Sequence, residues 1–211
     1  MAESTSRPTR KIALIGNPNV GKTTVFNLLT GMRQKVGNYP GVTVERKVGR
    51  IVGDLDIDLI DLPGSYSLSP KSLDERIAYD VLIGHLPGET APDLAVCVVD
   101  ASNLERNLYL VTQVIDVGLP VIVALNMTDA AEEAGLSIDV KALEESLGVP
   151  VIPMVASRND GIGKLKYRMR QEELPEPAER KWELMPVVAE VIPDLEEELK
   201  SHLPEKSRFI E

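Results

Sequence analysis

Short apolar runs rich in β-branched residues recur along the chain. Runs of this kind are typical of strands that are buried on both faces of a parallel sheet. They occur at Lys11–Ile15, Leu94–Val99, Pro120–Leu125 and Pro150–Val155. Each of these four segments is therefore predicted to be a strand.

Amphipathic stretches with helical spacing separate these runs. Four helices are predicted, at about Lys22–Leu29, Ser102–Ile115, Asp139–Leu147 and Gly161–Gln171. Gly31 and Gly148 follow the first and third of them, as expected for glycines that end helices. Ser102, with Glu105 three residues later, predicts a capping box at the start of the second helix.

A hairpin is predicted after the first helix. Gly53-Asp54 separates two strand-like segments, Val44–Val52 and Leu55–Asp61, and this dipeptide is a strong turn signal. The turn-rich segment Gly37–Gly41 is predicted to be a loop. Because it has few large apolar side chains, we expect little to hold it in place without a ligand.

Strands that alternate with helices predict an α/β fold. Its sheet should be mostly parallel, with six to seven strands and helices on both faces. Ligands of such sheets bind beyond the carboxyl ends of the strands. Each motif described below follows a predicted strand.

The pattern divides the chain into three predicted parts. Residues 1–10 are polar and are expected to form a flexible arm, and residues 11–172 carry the α/β pattern. From residue 173 onwards prolines interrupt the pattern and an acidic helical stretch follows, so residues 173–211 are expected to be part of a helical domain. Its apolar stripe consists of Leu184, Val188, Val191, Leu195 and Leu199.

Composition narrows the classes of partner. The 211 residues carry a formal net charge of -10, which argues against a nucleic-acid partner. It leaves a nucleotide ligand open, because a local nest of backbone N–H groups binds phosphate even in an acidic protein. No apolar run approaches the ~20 residues needed to span a membrane, and no signal peptide is expected.

The few cysteines and histidines argue against a transition-metal site. Cys97 is the single cysteine and lies in an apolar run, so it is expected to be a small buried hydrophobic residue. His85 and His202 are far apart in sequence. A transition-metal cluster within the chain is therefore not expected.

A glycine-rich segment between the first strand and the first helix matches the phosphate-binding pattern G-x-x-x-x-G-K-[ST]. The candidate nucleotide-binding residues here are Gly16, Asn17, Pro18, Asn19, Val20, Gly21, Lys22, Thr23 and Thr24. Lys22 should reach the β- and γ-phosphates, and the Thr23 hydroxyl should ligate Mg²⁺. A simple glycine turn is the alternative, but the strand–loop–helix setting favours a P-loop.

Two further motifs predict a P-loop GTPase fold. Asp61 and Gly64 form D-x-x-G at the end of a strand, where Asp61 would hold Mg²⁺ through water and the Gly64 N–H would face the γ-phosphate. Taken alone, D-x-x-G is usually only a turn. Asn126, Met127 and Asp129 provide N-x-x-D, in which a carboxylate accepts from guanine N1–H and its amine.

Two other positions are weaker candidates. Ala156-Ser157 lies where backbone N–H groups of GTPases contact the guanine O6, although the usual Ser-Ala-Lys is absent. Thr43 is placed to close on Mg²⁺ and the γ-phosphate, with an ordinary strand threonine as the alternative. Lys22, Thr43 and Gly64 are thus the candidate catalytic residues.

Three segments together resemble the FeoB family of prokaryotic ferrous iron transport proteins. They are Gly16–Thr24, Val36–Glu45 and Asp61–Leu68, and the second is the most specific because other P-loop GTPases vary widely there. The resemblance covers roughly Lys11–Lys166 together with the acidic helical tail.

The resemblance implies a regulatory role. It places a GTP- and GDP-binding domain at the cytoplasmic face of the cell membrane, as part of a polytopic protein whose membrane-spanning part is its partner. A helical domain that influences GDP release would link the two, and an oligomer is possible. The domain would gate Fe²⁺ transport and would not conduct the ion.

Slow hydrolysis is expected because Ser65 stands where Ras-like enzymes carry a water-orienting glutamine. No arginine is an obvious finger, although Arg33 and Arg46 flank the segment that contains Thr43. K⁺ could supply the missing positive charge, with Asn19 as its ligand, as relatives with this asparagine suggest. The alternative is that Asn19 only hydrogen-bonds the loop backbone.

Two rival functions remain open. One is a ribosome- or tRNA-linked GTPase, which predicts a basic extension in place of the acidic tail. The other is a module that senses GTP without turnover, because Lys22, Thr23 and Asp61 serve binding as well as hydrolysis.

Overall fold

The structure, a computed structural model, describes residues 9–53, 56–69, 71–86, 90–179, 181–182, 191–195 and 197–198. The chain divides into two units, Met1–Glu179 and Arg180–Glu211. The strands and helices named below all belong to the first unit. The division predicted between residues 172 and 173 stays a prediction.

One sheet forms the centre of the first unit. Its strands are β1 (Arg10–Gly16), β2 (Gln34–Asn38), β3 (Glu45–Arg50), β4 (Ile57–Asp61), β5 (Leu94–Asp100), β6 (Val121–Asn126) and β7 (Val151–Pro153). They lie in the order β2-β3-β4-β1-β5-β6-β7. The five strands from β4 to β7 in this order are parallel, whereas β3 pairs antiparallel with both β2 and β4.

Six α-helices are described in this unit besides the strands. They are α1 (Lys22–Thr30), α2 (Leu73–Leu82), α3 (Leu104–Asp116), α4 (Thr128–Glu133), α5 (Val140–Leu147) and α6 (Ile162–Arg170). Gly31 and Gly148 end α1 and α5 in the left-handed conformation, with φ of 62° and 73°. The prediction that these glycines end helices is confirmed.

Helices cover both faces of the sheet. Alternate residues of β1, Ile12 and Leu14, pack in one cluster with Phe26 of α1 and Leu165 of α6. Burying one such side chain contributes about 1.5–3 kcal/mol. α3 packs against β5 and β6, and its buried residues lie outside this cluster. The predicted mostly parallel α/β sheet with helices on both faces is confirmed.

Arg10 fastens the start of β1 to the end of α6. Its guanidinium donates hydrogen bonds to the carbonyl oxygens of Met169 at 3.0 Å, Gln171 at 2.7 Å and Glu172 at 3.1 Å. These bonds satisfy carbonyls that a helix end leaves without a partner. Arg10, the last residue of the predicted arm, is therefore part of the sheet.

The predicted capping box was placed at the wrong helix. Ser102 does not cap α3, because Ala101–Asn103 forms a 3₁₀ turn whose Ser102 N–H is bonded to the Asp100 carboxylate at 2.9 Å. A capping box instead begins α2. There the Glu75 N–H donates to the Ser72 hydroxyl at 3.2 Å, and the Ser72 N–H donates to the Glu75 carboxylate at 3.1 Å.

The sequence patterns also missed three elements. β2 overlaps the predicted loop Gly37–Gly41, and all five of its residues are exposed, so it has no hydrophobic alternation. α4 is only six residues long, and α2 lies in a region for which no element was predicted.

The second unit has a short described part. Residues 191–195 and 197–198 are helical, and Val191 and Leu195 of the predicted apolar stripe are 49% and 50% exposed. Leu184, Val188 and Leu199 lie outside the described residues. Among the residues that the structure describes, no helix is both long and apolar enough to cross a membrane.

Candidate functional site

The glycine-rich segment forms a tight loop between β1 and α1. A Cβ atom built on Gly16 would lie 2.5 Å from the Val98 carbonyl oxygen, so this position has no room for a side chain. Asn19 and Gly21 adopt the left-handed conformation with φ of 68° and 85°. Such reversals turn successive N–H groups toward one side and create an anion-binding nest.

An open cleft of about 520 Å³ lies against this loop. Its lining residues are Asn17, Pro18, Asn19, Gly21, Lys22, Thr23 and Gly64. It therefore brings the predicted phosphate-binding loop together with the glycine of D-x-x-G. Val20 is buried beneath the loop, and Thr24 is exposed on the first turn of α1.

Lys22 and Asp61 form an ion pair in this cleft. Both side chains are largely buried, with 12% and 8% of their surface exposed. The pair brings the end of β4 against the start of α1. A cation and a carboxylate that neutralise each other here are available to new partners if a phosphate and a metal ion enter together.

Gly64 and Ser65 lie directly on the phosphate-binding loop. The Ser65 N–H donates to the Gly16 carbonyl at 3.2 Å, and a Cβ atom built on Gly64 would meet Pro18 at 3.5 Å. Ser65 is 2% exposed and its hydroxyl faces the Pro63 carbonyl at 3.4 Å. The side chain at this position is therefore held away from the cleft.

Asn17 has an unsatisfied side chain. It is 3% exposed, and within the described ranges neither polar atom of its amide has a hydrogen-bond partner. Buried polar groups of this kind are rare, because each lost hydrogen bond costs about 1–3 kcal/mol. The site therefore retains capacity to bind a polar ligand or water.

Asn126 joins two loops across the site. Its side-chain amide donates to the Val20 carbonyl at 2.9 Å, and its side-chain oxygen accepts the Ala156 N–H at 2.9 Å. A Cβ atom on Gly21 would also clash with this amide. Asn126 was predicted to take part in base reading, but its polar atoms link the phosphate-binding loop to the loop after β7.

This bridge bears on the expectation for Ala156-Ser157. The Ala156 N–H is bonded to the Asn126 side-chain oxygen in this structure, and its contact with the guanine O6 stays a prediction. Ala156 is 3% exposed, whereas Ser157 is exposed. Of the two residues predicted to contact the base, Ser157 is the more accessible.

Asp129 is the second residue of α4, which follows β6. Its Oδ1 atom accepts the Ala130 N–H at 3.0 Å, and its Oδ2 atom lies 3.3 Å from Nη2 of Arg158. Met127, before α4, adopts the left-handed conformation with φ of 60°. Sequence patterns missed Arg158, because only the fold brings the loops after β6 and β7 together.

Thr43 is not assembled with the other candidates. It is exposed just before β3 and is not among the residues that line the cleft. The expectation that few large side chains hold this segment is wrong, because Tyr39 is 1% exposed and its N–H is bonded to the Val44 carbonyl at 3.0 Å. A single aromatic ring thus anchors the segment.

The Asp61–Leu68 segment makes two contacts with α3. The Leu68 N–H donates to the Gln113 side chain of α3 at 2.9 Å, and the Arg106 guanidinium lies 4.2 Å from the centre of the Tyr66 ring. Cation–π contacts of this length are favourable. These ties connect the D-x-x-G motif to α3.

Glu75 ties the same segment to α2. Its carboxylate accepts the Ser67 hydroxyl at 3.1 Å in addition to its capping bonds with Ser72. Burial alone would raise the pKa of Glu75, but the hydrogen bonds from Ser72, Ser67 and Lys71 outweigh it and lower the pKa below its usual 4.5.

The Cys97 thiol is buried and therefore chemically unreactive. It is 1% exposed within β5, and burial raises the pKa of its thiol to about 12. In the part of the chain that the structure describes, no group of three or more His, Cys, Asp or Glu side chains could hold a metal ion.

Comparison with known proteins gives consistent matches. The family model for ferrous iron transport protein B matches residues 10–169. The Fe(2+) transporter FeoB of Escherichia coli (strain K12) is 48% identical over 202 residues, which are 93% of this chain and 25% of that protein. The transporter of the same name from Salmonella typhimurium is 56% identical over 160 residues, 74% of this chain and 20% of that protein.

Solved structures agree with these matches. The cytosolic domain of L. pneumophila FeoB is 43% identical with a TM-score of 0.82, over 95% of this chain and 78% of that one. An S. thermophilus NFeoB mutant bound to mGDP is 41% identical with a TM-score of 0.80, over 95% of this chain and 75% of that one. The chain spans a quarter or less of the curated relatives quoted above, but most of these two domains.

Proposed function

The chain belongs to the ferrous iron transport protein B family, and from this premise we propose that it binds GTP and GDP in the cleft described above and hydrolyses GTP. The observation that carries the proposal is the Asn126 bridge. It holds the phosphate-binding loop and the loop after β7 in one assembly, next to Asp129. A nucleotide needs a phosphate site and a base site in a fixed arrangement, and Asn126 connects the two loops that would provide them.

The phosphates lie along the loop from Gly16 to Thr24. Backbone N–H groups of the nest and the N-terminus of α1 donate to the phosphate oxygens. Lys22 leaves Asp61 and turns to the β- and γ-phosphates, where its charge offsets the negative charge of the transition state. The Gly64 N–H faces the γ-phosphate from the opposite wall of the cleft.

The oxygen donors of the cleft fit Mg²⁺. Mg²⁺ prefers oxygen ligands and keeps several waters; the Thr23 residue lines the cleft, and the carboxylate of Asp61 lies beside it, paired with Lys22. Thr23 would hold it directly and Asp61 through water, and Thr43 would join them after its segment moves toward the cleft. When bound, Mg²⁺ neutralises charge on the β- and γ-phosphates.

Guanine is read beyond the end of β6. Asp129 accepts from the ring N1–H and the exocyclic amine, which adenine does not offer as a pair. The Ser157 N–H donates to O6. Met127 replaces the usual lysine, so one stacking stem is missing while the carboxylate remains.

Hydrolysis is slow, because the residue that follows D-x-x-G among those the structure describes, Ser65, has no side chain that can orient the attacking water. Ser65 occupies the position of the usual glutamine, but it is 2% exposed and directed at the backbone. The exposed Asn19 carboxamide would hold K⁺, which would supply the positive charge that other GTPases obtain from an arginine. The slow hydrolysis therefore sets how long the domain stays in its GTP-bound state.

The role in the whole protein is part of the same proposal. As a fragment of a transporter, the domain lies at the cytoplasmic face of the membrane and its nucleotide state gates Fe²⁺ uptake by the membrane-spanning part. Residues 173–211 begin a helical domain that transmits this state and influences GDP release.

Calorimetric titration of the chain with GDP and ADP tests base reading. We expect GDP to bind at least about 10⁴-fold more tightly than ADP, since a mismatched base leaves buried polar groups unpaired. Asp129→Asn should weaken GDP binding and favour xanthosine diphosphate, whose C2 oxygen accepts from an amide. Asp139→Asn is the control, because Asp139 likewise accepts a backbone N–H at a helix start, at 3.0 Å, outside the cleft.

The base assignment is wrong if Asp129→Asn binds GDP as tightly as the wild-type chain does. The nucleotide proposal itself is wrong if the wild-type chain binds neither diphosphate.

A further inference from the structure

Arg158 contacts the side chain that the proposed function uses to read guanine. It is the last residue of the 3₁₀ turn Ala156–Arg158 and directly follows Ser157. Its Nη2 atom lies 3.3 Å from Oδ2 of Asp129. The two residues belong to loops after neighbouring strands, β6 and β7, so the contact joins the two halves of the base site.

The ion pair occupies the acceptor atoms that a base needs. Oδ1 of Asp129 already accepts the Ala130 N–H at 3.0 Å, and Oδ2 faces the guanidinium of Arg158. A carboxylate that receives both N1–H and the amine of guanine must present both oxygens toward the base. Guanine and Arg158 therefore require the same part of Asp129.

The two partners differ in how firmly they are held. The Arg158 side chain is 66% exposed, whereas Asp129 is 25% exposed. Arg158 can thus move into water when a base arrives, while α4 keeps Asp129 in place. The Arg158 guanidinium neutralises the negative charge of the Asp129 carboxylate, which is partly buried.

We infer that Arg158 sets the affinity and the lifetime of the bound nucleotide by competing with guanine for Asp129. The inference rests on the proposed function. It identifies Arg158 as a residue that favours GDP release, because the ion pair between Arg158 and Asp129 re-forms when GDP leaves. Exposed ion pairs are weak, so the expected effect is about two- to fivefold.

Arg158→Gln tests the competition directly. The binding and release of a fluorescent GDP analogue are measured by stopped flow with the wild-type chain, Arg158→Gln and Arg158→Lys. Arg158→Gln should bind the analogue about two- to fivefold more tightly, mainly through slower release. Arg158→Lys keeps a cation near Asp129 and should restore much of the wild-type release rate.

Lys141→Gln is the matched control. It removes the same charge from another exposed ion pair, with Glu145 on α5, and should leave affinity and release unchanged. Choline chloride should reduce the difference between wild-type chain and Arg158→Gln, because salt screens exposed pairs. Choline also avoids any effect of K⁺.

Each outcome decides the inference. Unchanged or weaker binding in Arg158→Gln overturns it, and weaker binding would show that Arg158 contacts the nucleotide favourably. An equal gain in Lys141→Gln also overturns it, because net charge would then be the cause. If the wild-type chain fails to bind the analogue and unlabelled GDP, the proposed function fails as well.

Discussion

At the scale of single residues, Asn126 supports the site more than any motif pattern indicates. The N-x-x-D spacing singled it out as part of a base reader. The structure instead commits its amide to Val20 and Ala156, on two different loops. A pattern of residue types cannot reveal this role, because it depends on which loops the sheet brings together.

Asn126→Ala should destabilise the chain and weaken GDP binding. It leaves two buried backbone groups without partners, so we expect a loss of about 2–4 kcal/mol in the free energy of unfolding. GDP affinity should fall by about tenfold, equivalent to about 1.4 kcal/mol, because the two loops lose their connection. Urea unfolding and calorimetry measure the two effects.

Asn107→Ala is the control for this prediction. Asn107 is also 3% exposed and also makes two hydrogen bonds, with the Asp100 N–H at 3.3 Å and the Asn103 carbonyl at 2.7 Å. It should lower stability similarly and leave the GDP affinity of the folded protein unchanged. Equal losses of affinity in both variants would show that Asn126 acts only through stability.

Asn19 provides a second prediction at this scale. The residue is exposed, lines the cleft and has φ of 68°, so its carboxamide can approach a cation beside the phosphates. We expect faster GTP hydrolysis in KCl than in NaCl at equal ionic strength, and no such difference in Asn19→Ala. Equal wild-type rates in the two salts would exclude activation by K⁺, and a K⁺ effect that persists in Asn19→Ala would exclude Asn19 as its essential ligand.

At the scale of elements, strong periodicity and glycine signals made reliable predictions. The buried strands β1, β5 and β6 and the helix α5 lie close to where the pattern placed them. β2 could not be predicted, because none of its residues is buried and its strand form depends on pairing with β3. The Ser72–Glu75 pair that begins α2 was visible in the sequence, but the same signal at Ser102 proved misleading.

Glu75 makes the stability of α2 depend on pH. Its pKa is lowered in the folded chain, so its contribution is present above the ordinary pKa of 4.5 and is lost as pH falls through the lower folded value. The free energy of unfolding of wild-type chain and Glu75→Gln should therefore differ by a constant amount above pH ~5 and converge at lower pH.

Urea unfolding between pH 7 and pH 3 measures this difference. Asp80→Asn is a control on the same helix, since the Asp80 carboxylate forms a long ion pair with Arg76, at 3.9 Å. A difference between wild-type chain and Glu75→Gln that grows as pH falls would contradict the assignment.

At the scale of the whole molecule, the fold and family could be predicted from the sequence because they depend on short-range signals. Alternating strands and helices predicted the α/β class, which the structure shows, whereas the phosphate site at the loop Gly16–Thr24 stays a prediction. The ion pair between Arg158 and Asp129 could not be predicted, because it arises only where the ends of two strands meet. The anchoring of Tyr39 was missed for the same reason.

The proposed role in Fe²⁺ transport concerns a whole transporter, and this chain spans 25% of the E. coli FeoB transporter. GTP hydrolysis at the P-loop can be measured directly with this chain. Lys22 is the residue on which this test depends, because it is paired with Asp61 and faces the cleft.

Release of phosphate from GTP under single-turnover conditions is therefore the most direct test of the central claim. We predict that the wild-type chain with Mg²⁺ and K⁺ releases phosphate from GTP more slowly than about 10⁻² s⁻¹, as expected for GTPases without an arginine in place. Lys22→Ala should release none above background, and ATP should not be cleaved by the wild-type chain. Phosphate release that is absent in the wild-type chain, or equal in Lys22→Ala, would contradict the claim that this cleft hydrolyses GTP.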